Sequence, residues 1–395
     1  MSTRIYSADR LYPVDQSPID NGYVAIDTQG KIESIGEVKD LPTADIQHFD
    51  GILIPGMVNA HCHLELSHMV GRVDTGTGLL PFLKKVVTLR EVDEDVILQA
   101  IADQDEKMYN SGISAIGDIS NTSHTHQTKM TSPIRYYSFV EMFDFMQDSM
   151  TDNTIAQYTE VYNTHVANDK NAKSYVPHAP YTVSKRLLKE INKLNNPHAT
   201  VSVHNQETPP ENELFLKGTG AFHAFFDQFG FKYPSDICIE ETSIHYLLQH
   251  MDPLCKTLFV HNTLTTRDDV KAALDFSPDI YWATCPNANL YIENRLPDYQ
   301  VFLDTGVKVC VGTDSLTSNW QLDIWEEVKT ILKHQSYLSL DDVMKWATLN
   351  GAEALSMDDQ LGSLTVGKSP GIVHINGRVE NGQVDITQST SRRVI

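Results

Sequence analysis

Cysteine is scarce in this sequence of 395 residues. Cys62, Cys238, Cys255, Cys285 and Cys310 are odd in number, scattered, and form no C-x-x-C pair. That argues against a disulfide framework and for a reducing compartment. Positive charge is also thin: Lys+Arg total 31 against 52 Asp+Glu, a formal charge of −21. Such a surface repels phosphate backbones, so a nucleic-acid partner is not expected. No run of about 18 apolar residues is available to span a bilayer. The first ten residues, Met1 to Arg10, carry no apolar core of a secretory signal. No Gly-x-Gly-x-x-Gly follows the first apolar strand of the middle region, which counts against a doubly wound sheet. The expectation is a cytoplasmic globular protein whose partner is a small molecule, with no nucleic acid and no membrane.

The chain has ample apolar material. Hydrophobic residues make up 41% of it, enough for one large core and a smaller accessory domain. Both ends read as short strands and turns. Tyr23–Asp27 and Lys31–Gly36 flank a turn at Gln29–Gly30 near the start, and Gly362–Lys368, Gly371–Asn376 and Gly382–Ile386 lie near the end. The middle alternates eight candidate strands (Ile52–His63, Ile113–Asp118, Arg135–Glu141, Ser174–His178, Thr200–His204, Thr257–His261, Ile280–Thr284, Val307–Thr313) with amphipathic stretches such as Val96–Asn110, Ser184–Leu194 and Leu322–His334. Strand followed by helix, repeated eight times, predicts an α/β chain: a (β/α)8 barrel of the TIM type. A small β-sandwich domain assembled from both termini would flank it, dividing the chain as 1–54, 55–358 and 359–395. The stretch Asn205–Pro253 is longer than an ordinary loop and is expected to cover the substrate.

The ends of the candidate strands carry the chemistry. The first apolar run leads into His61-Cys62-His63, and residues i and i+2 of a strand share a face. His204 ends the fifth strand, His261 the sixth, and Asp314 follows the eighth. Any one histidine at a strand end is more often a hydrogen-bonded loop residue, Asp314 alone could cap a helix, and Glu207 alone could be a solvated carboxylate beside Pro209-Pro210. Their joint occurrence at the carboxyl ends, where such barrels keep their active sites, points to function. Three imidazoles and a carboxylate suit a divalent ion such as zinc with a place left for water, whose pKa the ion lowers to about 7. Glu207 and Asp314 suit proton transfer.

Six segments extend the pattern: Pro55-Gly-Met-Val-Asn-Ala-His-Cys-His, His204-Asn-Gln-Glu-Thr, Phe259-Val-His-Asn, Cys285-Pro-Asn-Ala-Asn-Leu, Val311-Gly-Thr-Asp-Ser and Trp346-Ala-Thr-Leu-Asn-Gly-Ala-Glu-Ala-Leu. A seventh, Gly362-Ser-Leu-Thr-Val-Gly-Lys, leads back to the terminal strands. With them the chain resembles the amidohydrolase superfamily over nearly its whole length. Within it the chain resembles the metal-dependent deaminases of adenosine-type, S-adenosylhomocysteine-type and aminofutalosine-type compounds. Ala288 stands where that family usually has Ser.

The resemblance implies that His61, His63, His204 and Asp314 bind one metal ion, zinc or, with the same donor set, iron. His261 would orient the metal-bound water. Asp314 would take its proton as hydroxide attacks a ring carbon bearing an amino group. Glu207 would protonate the neighbouring ring nitrogen and then carry a proton to departing ammonia. Strand four ends Tyr175-Val-Pro-His-Ala-Pro-Tyr-Thr, without the Lys that bridges two metals elsewhere in the superfamily, which implies a single ion. His178 in that segment is a candidate substrate contact, as are Glu65, Arg90 and Arg135. Phe143 and Trp320 could stack on a base or fill the core. The implied function is hydrolytic deamination of an amino-substituted heterocycle, a purine or adenosine-type compound such as aminofutalosine. The alternative is a chlorohydrolase-like or amide C–N hydrolase of the same fold. A homo-oligomer, a dimer, is expected.

Overall fold

The computed structural model describes residues 3–41, 45–380 and 383–395. Strands β1 (Arg4–Leu11), β2 (Ile19–Ile26), β3 (Ile32–Glu37) and β4 (Ile46–Pro55) come from the start of the chain. The middle supplies β5 (Met57–Cys62), β6 (Ile113–Ser120), β7 (Arg135–Met142), β8 (Ala172–Pro177), β9 (Thr200–Asn205), β10 (Lys256–His261), β11 (Ile280–Thr284) and β12 (Lys308–Val311). The end adds β13 (Ile372–Ile375), β14 (Arg378–Glu380), β15 (Gln383–Asp385) and β16 (Ser391–Arg393).

Both ends of the chain meet in one six-stranded sheet, ordered β16-β13-β4-β1-β2-β3. Leu11, Val24, Ile26 and Leu53 are buried there beside Leu364 and Ile372, each worth roughly 1.5–3 kcal/mol when fully removed from water. The hairpin β14–β15 pairs only with itself among the described residues. Gly382, which opens the last expected strand, lies outside the described residues. Gly362–Lys368, expected to be extended, is a loop instead. Gly362 and Gly367 take φ of +85° and +96°, turn conformations that glycine reaches freely.

The eight strands of the middle form two parallel sheets, β5-β6-β7-β8 and β9-β10-β11-β12. Main-chain bonds cross both seams: His204 N–H donates to His178 O at 3.0 Å, and the N–H groups of Thr313 and Asp314 both reach His61 O. The strands read as continuous apolar runs because both faces are covered; Val58, Ile116, Phe139, Val176, Phe259 and Val311 are fully buried. The covering helices carry local start signals. Ser184 caps the helix Lys185–Leu194 by accepting from Leu187 N–H, and Asp144 accepts from both the N–H and the hydroxyl of Ser184. Leu187, Leu188 and Ile191 then face the core.

The expected single strand Ile52–His63 divides at Gly56. Pro55 ends β4 opposite Ile372 in the terminal sheet, and Met57 opens β5 beside Ile113. A Cβ at position 56 would lie 1.9 Å from Ser114 Oγ and 2.3 Å from Pro370 O, so only glycine passes there. Among the described residues no helix is long and apolar enough to cross a membrane.

Candidate active site and metal centre

Four buried side chains converge: His61 and His63 from the end of β5, His204 from the end of β9, and Asp314 from just beyond β12. One ligand atom from each of His61, His63, His204 and Asp314 lies within 4.8 Å of all the others. His61 Nε2 and His63 Nε2 are 3.2 Å apart, and both approach Asp314 Oδ1, at 3.6 and 3.3 Å. The alternation of β5 explains the pair, with Cys62 facing the opposite way. His204 Nδ1 bonds His178 O at 2.7 Å, which leaves Nε2 to face the cluster. Ser318 Oγ holds the other oxygen of Asp314 at 2.5 Å.

The backbone at these ends is unusual. Gln206, His261, Asn262 and Asp314 all have positive φ, between 47° and 74°. Such residues cost about 1–3 kcal/mol each and cluster where function over-determines the geometry.

Burial fixes the protonation states. It lowers His63 to about 3, and His178 and His261 to about 4, and drives His204 well below the usual range, so these imidazoles are neutral. Burial also opposes the charge on Asp314, but the His61 hydrogen bond and the neighbouring His63 and His261 outweigh it and hold the carboxyl far below the usual range. Imidazole nitrogens and an ionised carboxylate converging on one point fit a divalent cation.

Glu207 stands beside this cluster, 3.7 Å from His261 Nε2. Its own N–H donates to Glu211, and Thr263 Oγ1 donates to its carbonyl. Burial, reinforced by Asp314 and Glu211, pushes its carboxyl well above the usual range. These surroundings favour its protonated form. Asn289 Oδ1 accepts from His261 Nδ1 at 2.8 Å, leaving a lone pair on Nε2.

All this opens into a cavity of about 210 Å³. One wall is polar: Asp314, Glu207, His178, Arg90, Asn121 and Glu141. The other is apolar and comes from two places. Phe82 and Val86 belong to the helix Leu79–Leu89, while Phe225, Phe226, Phe229 and Phe231 belong to the expected covering segment, which forms the helices Pro209–Lys217, Ala221–Asp227 and Ser243–Leu248.

The substrate-contact candidates separate. His178 lines the cavity, its Nδ1 2.7 Å from Thr182 Oγ1, and so do Arg90 and Phe143. Glu65 does not. The chain leaves β5 at Cys62 and turns into a short 3-10 helix, Leu64–Met69. Glu65 Oε2 accepts from Asn121 N–H, Thr122 N–H and the Thr122 hydroxyl, while Oε1 lies 3.5 Å from Arg90. It braces the cavity wall from behind. Arg135 is also elsewhere: it opens β7 at the amino-terminal end and lines a separate cleft with Tyr109, Pro370 and Arg393. Trp320 is 57% exposed, packed on Tyr291 outside the cavity. Glu141, Asn121 and Asn289 were not singled out by sequence reasoning. For Glu141 a signal existed, a lone carboxylate at the carboxyl end of the apolar run Tyr136–Met142.

Residues 52–394 match the model of the Amidohydrolase family. The chain is 27% identical over 368 residues to aminodeoxyfutalosine deaminase from Nitratiruptor sp., covering 89% of this chain and 86% of that protein. It is 27% identical over 346 residues to adenosine deaminase from Helicobacter pylori, covering 83% and 81%. The structure of aminofutalosine deaminase from Helicobacter pylori in complex with methylthio-coformycin shares the fold, with a TM-score of 0.84 at 22% identity over 99% of this chain and 100% of that one. Matched through every strand that carries a member of the cluster, the chain belongs to the amidohydrolase family.

Proposed function

We propose that this protein is a metal-dependent hydrolase of C–N bonds that deaminates adenosine-type compounds, aminofutalosine among them. The observation that carries the reading is the cluster of His61, His63, His204 and Asp314 at a cavity that Glu207 also lines, where burial favours the protonated form of Glu207. The deaminase names of the two relatives support the substrate class.

His61, His63, His204 and Asp314 would hold one divalent ion, zinc with iron as the alternative, which when bound supplies water acidified to near neutrality. The chain's own groups move the protons. Asp314 takes one from the attacking water, and the Nε2 lone pair of His261 accepts a hydrogen bond from the same water and aims it at the ring carbon. Glu207 gives its proton to the adjacent ring nitrogen. It then collects the hydroxyl proton of the tetrahedral carbon and delivers it to the amino group. The C–N bond breaks, ammonia leaves, a ring carbonyl remains, and the proton held by Asp314 restores Glu207. Without that delivery amide ion would have to leave, which it does very poorly.

The test is ammonia release by Zn²⁺- or Fe²⁺-loaded protein from adenosine, 5'-deoxyadenosine, aminofutalosine, guanine and cytosine. Release from the adenosine-type members is the expected result; no release from any compound overturns the reading.

The main-chain bonds at both seams support one closed (β/α)8 barrel. The sheet drawn from both ends, with the hairpin β14–β15 packed near β4, supports an accessory β-sandwich of residues 1–54 and 359–395 around the barrel of 55–358. Five free cysteines, four of them buried, accord with a cytoplasmic location. A homodimer is the proposed assembly, on the general tendency of enzymes to form one, and light scattering decides it.

A further inference from the structure

Arg135 opens β7 at the amino-terminal end of the barrel strands and lines a cleft of about 290 Å³, away from the metal ligands. Gln29, in the turn between β2 and β3, and Ser369, in the loop before β13, line the same cleft, so it lies where the barrel meets the terminal sheet. Arg393 of β16 lines it as well. Its guanidinium lies over the Tyr109 ring and is spent on Tyr109 O, Ile113 O, Ser114 Oγ and Ile395 O. Gly371, at φ +78°, leaves room for these groups: a Cβ there would lie 2.6 Å from Arg393 Nη1 and 3.3 Å from Ser114 Oγ. Arg135 is different. It is only partly exposed, yet among the described residues its guanidinium has neither a hydrogen bond nor an ion pair. The side chains of Gln29 and Ser369 also bond no described residue.

Among the described residues no Asp or Glu lines this cleft. Asp105, on the helix Glu94–Ser111, is turned instead to Ser132 and Tyr136. Lys170 adds positive charge nearby: burial lowers its ammonium, and Arg135 adds to the effect against Asp105. In a chain with a formal charge of −21, two guanidiniums at one cleft with no acid between them are an exception to the general field. A half-buried cation without a counter-charge is costly, and the missing charge can be a ligand's. A guanidinium fork matches the oxygens of a phosphate or a carboxylate. We infer that this cleft is a second ligand site, separate from the metal centre, that takes a small oxyanion on Arg135, with Gln29 and Ser369 as further donors. Arg135 belongs to the barrel and the other two to the terminal segments, so the bound anion ties the two together. The site does not rest on the deaminase reading.

The experiment measures binding of inorganic phosphate and of succinate by calorimetry, at one ionic strength set with NaCl, to wild type, Arg135→Gln, Arg135→Lys and His61→Ala. Thermal melting with and without each anion follows the tie between barrel and sheet, and melting without anion verifies that each variant is folded. Wild type should bind one anion per chain and melt higher in its presence. Arg135→Gln should lose about 10- to 150-fold in affinity, as for a hydrogen bond to a charged group. Arg135→Lys, which keeps the charge but not the fork, should lose less. His61→Ala, altered at the metal centre, should bind as wild type does. Binding of phosphate without succinate, or the reverse, supports the site and names the source of the oxyanion. No saturable binding of either anion by wild type overturns it. Undiminished binding by Arg135→Gln overturns it too, as does binding lost in His61→Ala instead, which would put the anion at the metal centre.

Discussion

On the polar side of the cavity, three of the side chains proposed to act stand at or just beyond a strand end and are held by a named bond: His204 by His178 O, His261 by Asn289, Asp314 by Ser318. The apolar side is different. Phe82 and Phe226 come from helices that pack across the opening, and Phe229 follows them at 37% exposure with no polar tie. Chemistry that needs atoms placed to within about half an ångström is built on rigid sheet ends, whereas exclusion of water needs only area. The two walls should therefore fail in different ways.

Removing the metal by chelation, or by His61→Ala, should abolish ammonia release, and added Zn²⁺ should restore only the chelated wild type. Glu207→Gln should lower kcat/KM by about 10²- to 10⁴-fold with metal content unchanged. Because burial raises the Glu207 carboxyl, its acid form persists to higher pH. Wild-type activity should fall as pH rises through that raised value, and the alkaline limb should vanish in the variant. Near-full activity of Glu207→Gln would instead favour displacement of a better leaving group, as in a chlorohydrolase. Asn289→Ala frees the His261 ring and should cost about tenfold in kcat with KM held. On the apolar side, Phe229→Ala should raise KM about threefold and leave kcat and melting temperature nearly unchanged. If it lowers kcat as far as Glu207→Gln does, the contrast between the walls is wrong.

The polar wall was largely legible in the sequence, because strand alternation and strand ends are periodic signals. His61 and His63 announce a shared face, and His204, His261 and Asp314 each close an apolar run. Glu65, a substrate-contact candidate by resemblance, instead lies in the short 3-10 helix beyond Cys62, where the strand period no longer sets its direction. Arg135 was misread by position, since it opens its strand and the site lies at the other end. The phenylalanines between Phe222 and Phe231 carry no signal separating a cavity lining from a core: Phe222 is fully buried and Phe229 is not, yet both sit in one apolar stretch.

Gly56 joins two machines that look separate. Pro55 is hydrogen-bonded into the sheet made from both ends of the chain, and Met57 starts the strand that reaches His61 four residues later. With no slack between them, fraying of β4 should pull on His61 and His63, and an ion held by the proposed ligands should resist that fraying. Its binding energy, about 4 kcal/mol at a thousandfold excess over Kd, would then be shared with a sheet that never touches it, and amide exchange at Leu53 should slow when the metal is added.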